Sequence, residues 1–125
     1  MSKTKLDNKV KGKRKEMIYM QWLILLVAGL FETFWAICLK YSQGFTKLLP
    51  SVFTIAGMIV SFYLLSLSLK QLPLGTAYAI WTGIGTVGTL IFGIIVFHES
   101  ISIPQILCVC LIVIGIIGLK ILSPQ

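Results

Sequence analysis

Four long apolar runs dominate the chain, at about residues 20–39, 48–69, 74–97 and 101–122. Each is near the roughly 20 residues that a helix needs to cross a bilayer. Short polar connections part them. Tyr41 to Lys47 holds Ser, Gln and Gly; Lys70 to Pro73 is a Pro-containing turn; His98 to Ser102 leads to Pro104, which suits a first helical turn. The pattern predicts an all-α integral membrane protein with four transmembrane helices, each antiparallel to the next, and both termini on one side.

One charge breaks these runs away from their ends. Glu32 stands inside the first, and a carboxylate near the middle of a membrane helix costs about 2.5 kcal/mol or more. Such a residue marks a pathway or site for ions or substrate unless it only pins two helices together. Helical spacing puts Ala28, Gly29, Glu32, Trp35, Ala36 and Leu39 on one face. The small residues leave room beside the carboxyl. Trp35, one turn on, can offer a cation the face of its ring or donate its indole N–H to the carboxylate; the alternative is an interfacial belt tryptophan.

The third run carries a second cluster. Tyr78, Trp81, Thr82, Gly85 and Thr89 share a face, and two amphipathic aromatics with a hydroxyl suit a site that meets both water and an apolar cation. Gly83, Gly85 and Gly88 spell GxGxxG, but with no strand before them and a spanning helix around them they do not bind a dinucleotide. They predict close packing or a kink. In the second run Ser66 and Ser68 read as packing hydroxyls bonded to their own backbone. Ser61 lies mid-span and could order the Glu32 carboxyl. The fourth run has Gly115 and Gly118 and no acid, as expected of a helix that packs on another subunit.

Composition changes the picture mainly at the N-terminus. The 125 residues are 57% hydrophobic and 12% charged, with mean hydropathy +0.94, against about 25% charged in soluble domains. Residues 1–16 hold seven basic and two acidic residues, +5 of the chain's net +7. This stretch is expected to be a disordered basic tail, set apart from a transporter domain at 17–125. It is not a secretory signal, because the apolar run that follows is too long and no small-residue cleavage site closes it. It reads either as a polybasic arm on anionic lipid, worth about 1 kcal/mol per basic residue, or as a mis-assigned start, with Gly12 to Glu16 encoded by a purine-rich ribosome-binding stretch and translation beginning at Met17 or Met20. Without it, Lys70 and Lys120 on the terminus side balance Lys40 and Lys47 on the other, so the core could insert either way up. The tail favours a cytoplasmic N-terminus.

Other chemistry is sparse. Cys38, Cys108 and Cys110 lie in apolar runs and form no disulfide framework. One histidine is too few for a metal site, and no Ser/His/Asp set is present, so neither an enzyme nor a cofactor is expected. His98 and Glu99 read as a solvated helix end.

The chain resembles the small multidrug resistance family of four-helix, proton-coupled transporters. The resemblance covers essentially all of Met20 to Ser123 and rests on Glu32, Lys40-Tyr-Ser-Gln-Gly-Phe-Thr46, Pro50-Ser51 and Pro73-Leu-Gly-Thr-Ala-Tyr-Ala-Ile-Trp-Thr-Gly-Ile-Gly85. Trp35, the run from Trp81 to Gly85, and the ending Gly115-Ile-Ile-Gly-Leu-Lys120 are similar to the guanidinium-exporter branch rather than the quaternary-ammonium branch. The basic tail departs from the family. The resemblance implies an antiparallel homodimer in the bacterial inner membrane, with two copies of Glu32 in one cleft that opens alternately to each side. Protons and a guanidinium-type cation would compete for the pair, which would titrate as a coupled unit. It also implies that Glu32, Trp35, Ser61, Tyr78 and Trp81 bind substrate and proton, with Gly29, Thr82, Gly83 and Gly85 lining the site or bending its helices. The partners expected are a guanidinium-type cation, protons, a second copy of the chain and the lipid bilayer, with no nucleic acid. Alternatives are broad export of quaternary ammonium or lipophilic cations, one subunit of a paired heteromeric transporter and, from another class, a membrane subunit that does not transport.

Overall fold

A run of apolar residues buried in lipid must satisfy every backbone N–H and C=O within itself, and the α-helix does this. The structure, a computed structural model, describes residues 2–123; residue 1 of the expected tail and residues 124–125 of the expected domain lie outside them. Its elements are α1 (Lys3–Tyr41), α2 (Leu48–Ser68), α3 (Leu74–Val96) and α4 (Ile103–Leu122). All four are long and apolar enough to span a membrane, and the last three keep to the expected bounds within two residues.

The first helix differs. Residues 3–16, expected to be disordered, continue α1 without a break to a length of 39 residues. At 1.5 Å per residue this is about 58 Å, nearly twice the hydrocarbon thickness. Residues 2–17 are exposed throughout. Low hydrophobicity argues for disorder, but Lys, Arg, Glu and Met are good helix formers. Joined to a spanning helix, the segment bears no nucleation cost of its own. The Ser2 side chain caps it by accepting from the Lys5 N–H at 3.3 Å, and Asp7 stands one turn before Lys11 in the favourable order.

Capping fixes the connections. Ser42, fully buried after α1, donates its hydroxyl to the Leu39 carbonyl at 2.6 Å and accepts from the Phe45 N–H at 3.1 Å. Gln43, Gly44 and Phe45 then turn the chain through the left-handed region. Before α4, Ser102 and Gln105 form a capping box with Pro104 in the first turn. Glu99 is not simply solvated: it accepts from Lys40 Nζ at 3.0 Å, and that ammonium also lies 4.4 Å from the centre of the Phe97 ring. The contact ties the end of α1 to the α3–α4 connection.

α1 is the central helix, packed on both α2 and α3, while α4 approaches α3 alone. The core comprises Leu25 and Ala28 of α1, Leu65 of α2, Leu72 of the α2–α3 turn, and Ala77, Ile80 and Trp81 of α3. α4 has no buried residue. Its apolar surface is left to lipid or to another chain.

Candidate functional site

Glycine lets α1 and α3 approach closely. A Cβ on Gly85 would run into the Glu32 carboxyl, 2.5 Å from Cδ and 2.8 Å from Cγ, and would meet Oε2. One on Gly29 would lie 2.7 Å from Ile84 Cγ2. Gly88 faces Thr33 in the same way. The carboxyl of Glu32 is thus seated in the notch that Gly85 leaves in α3. Its Oε2 is buried there and has no hydrogen-bond partner among the described residues.

Above the carboxyl opens a cleft of about 550 Å³, lined by Glu32 and Trp35 of α1, Phe62 and Leu65 of α2, and Tyr78, Trp81 and Thr82 of α3. Four of its rings follow one another edge to face or tilted: Trp35 to Phe62 at 6.3 Å, Phe62 to Trp81 at 5.6 Å, and Trp81 to Tyr78 at 5.5 Å between centroids. The indole N–H of Trp35 is buried and donates to none of the described residues. One carboxylate among π faces is an arrangement that attracts an organic cation through both charge and ring quadrupole.

Behind the cleft, three helices meet at one carbonyl. Ala28 O accepts from Ser61 Oγ at 2.7 Å and from Trp81 Nε1 at 3.2 Å, and Trp81 Nε1 also donates to Ser61 Oγ at 2.9 Å. Ala28 lies one helical turn before Glu32, so the cluster holds the backbone from which the carboxyl projects. It also fixes the Trp81 ring, which is 4% exposed.

The matching family model is that of the Small Multidrug Resistance protein, over residues 20–112. The chain belongs to the small multidrug resistance family. Curated relatives agree along their whole length or nearly so. A Guanidinium exporter of Proteus vulgaris is 62% identical over 104 residues, 83% of this chain and 100% of the relative. A Guanidinium exporter of Yersinia pseudotuberculosis is 56% identical over the same shares, and one of Citrobacter freundii is 58% identical over 101 residues, 81% of this chain and 96% of the relative. This small multidrug resistance protein is therefore a multi-pass membrane protein of an exporter family.

Of the residues singled out in the sequence, Glu32, Trp35, Tyr78, Trp81 and Thr82 come together around the cleft, and Gly85 backs the carboxyl. Ser61 does not reach Glu32; it is fully buried in the cluster at Ala28. Gly29 spaces α1 from Ile84, and Gly83 faces α4, where a Cβ would lie 2.5 Å from Ile116 Cδ1. α3 runs unbroken through its glycines, which serve close packing. Ala36 and Thr89, on the expected faces, line a separate cavity of about 310 Å³ beside Lys40 and Glu99. Sequence reasoning missed Phe62 and Leu65. They are three residues apart on α2 and follow Ser61, and that spacing was the available signal.

Proposed function

We propose that this protein exports guanidinium and small substituted guanidinium cations across the bacterial inner membrane in exchange for protons. The observation that carries the reading is the single carboxyl of Glu32, seated against Gly85 in a cleft walled by aromatic rings. The relatives' name, Guanidinium exporter, gives the substrate class. A guanidinium ion is planar and donates in a fork that matches a carboxylate. The carboxylate holds either the cation or a proton, so each expels the other. Trp35, Tyr78, Trp81 and Thr82 wall the bound cation, and Ser61 acts on them through Trp81 and Ala28.

The working unit in this proposal is an antiparallel homodimer. Apart from the side that packs on α3, the surface of α4 is open to a second copy. The core lysines are divided equally between the two sides. The Lys40–Glu99 pair leaves that balance intact, because acidic residues count little in orientation. Inverted copies related by a two-fold axis in the membrane plane would bring two Glu32 carboxyls to one chamber.

The test is proton-coupled current from the purified protein in liposomes on a solid-supported membrane. A saturable guanidinium current, with little from tetraethylammonium, is expected. Glu32→Gln should elute as a folded protein and lose the current about a hundredfold or more. Larger currents with lipophilic cations would move the protein to multidrug efflux. Current retained by Glu32→Gln would refute the mechanism, and none with either substrate would leave a partner subunit or a role outside transport.

A further inference from the structure

A groove that shares no residue with the carboxylate cleft runs between α1, α3 and α4. Its deep part, about 420 Å³, is walled by Leu23 and Leu26 of α1, Ile80 and Ile84 of α3, and Ile116 of α4. Its mouth, a further cavity of about 270 Å³, is formed by Lys15, Ile18, Tyr19, Trp22 and Lys120. Tyr19, Trp22 and Lys120 border both parts and make them continuous. The Lys120 ammonium is 5.8 Å from the centre of the Trp22 ring. Among the described residues, no acidic side chain lines either part.

The position of the mouth is set by the sequence. Lys15 and Tyr19 precede the first apolar run, and Lys120 closes the last, so both lysines stand at the same membrane boundary. Tyr and Trp are the residues that settle at that boundary. The groove therefore begins at headgroup level with two cations and descends between apolar walls into the hydrocarbon.

We propose that this groove is a binding site for an anionic phospholipid, its phosphate held by Lys120 and Lys15 and one acyl chain lying along Leu26, Ile84 and Ile116. The apolar walls do not select among lipids, because acyl chains are as apolar as leucine. Selection comes from the head. Two ammonium groups in a lining that includes no carboxylate favour a net anionic lipid over a zwitterionic one, whose choline they repel. Basic pockets between spanning helices take anionic headgroups for this reason, and two lysines at the surface give a preference of roughly tenfold or more. The site would fasten α4 to α1, which the backbone packing leaves apart.

The experiment is native mass spectrometry of the full chain, purified in mild detergent and titrated with equal amounts of phosphatidylglycerol and phosphatidylcholine. The unmodified chain should retain phosphatidylglycerol over phosphatidylcholine by about tenfold. Lys15→Gln with Lys120→Gln should reduce that preference at least fivefold. Lys3→Gln with Lys5→Gln removes the same charge from the exposed start of α1, about 15 to 18 Å along the helix from Lys15, and should change nothing. Leu26→Trp should fill the groove and lower retention with no change of charge. Equal retention of the two lipids overturns the proposal. So does a preference that survives loss of Lys15 and Lys120, or one that falls as much with Lys3 and Lys5. Phosphatidylglycerol retained by the monomer but absent from the dimer would assign the groove to a second copy of the chain and overturn it too.

Discussion

Replacing Gly85 by alanine should separate folding from transport in this protein. In a helix interior the exchange by itself favours the helix by about 0.8 to 1 kcal/mol. Against this, the new Cβ would stand 2.5 Å from Glu32 Cδ, where ordinary contact begins at 3.4 Å. About 1 Å must be found. The opposing atoms are the far end of a flexible side chain, so the carboxyl moves and the α1–α3 spacing holds. Stability should then stay within about 1 kcal/mol of the unmodified protein, as the propensity gain and the displacement offset each other. Function should not survive as well, because a displacement of about 1 Å in a binding group can cost about a hundredfold. The assay is guanidinium current in liposomes at matched protein density, with elution profile and thermal melt as the folding controls. Gly83→Ala is the comparison: its Cβ meets the mobile end of Ile116 on α4 and leaves Glu32 untouched, so current should persist. Gly85→Ala transporting within about threefold of the unmodified protein would refute the claim that this notch seats the carboxyl.

The cluster at Ala28 predicts coupling between its donors. Ser61→Ala and Trp81→Phe should each destabilise the protein by about 0.6 to 1.7 kcal/mol, the range for hydrogen bonds between membrane helices, and the double variant should lose less than their sum in a denaturation cycle, since the two share one bond. Gly115 has open space around it within the protomer, so Gly115→Leu should leave the protomer folded and lower the dimer fraction seen by chemical cross-linking in membranes. A chain beginning at Met17 should keep guanidinium current near that of the full chain, because every residue of the carboxylate cleft lies beyond residue 31; a loss of tenfold or more would make residues 1–16 part of the transporter.

The spans were legible in the sequence because a bilayer sets their length, and Glu32 stood out because a lone charge in such a run is costly. Helical spacing also put Tyr78, Trp81 and Thr82 on one face with Gly85 and Thr89; the first three line one cleft, and Thr89 lines another. What spacing cannot give is the element that each face meets. Ser61 could be placed mid-span on α2, but its bonds to Ala28 and Trp81 depend on the rotation of α2 against α1. The helical start of α1 was missed for a different reason: composition weighs burial, whereas this segment is extended by propensity from a helix already formed. The glycines of α3 make the limit plainest. Gly83 and Gly85 sit two residues apart in one motif, which on a helix turns them about 200° from each other. One faces Ile116 of α4 and the other the carboxyl of Glu32. A motif read as a unit therefore serves two interfaces, and only the helix packing shows that just one of them abuts the Glu32 carboxyl.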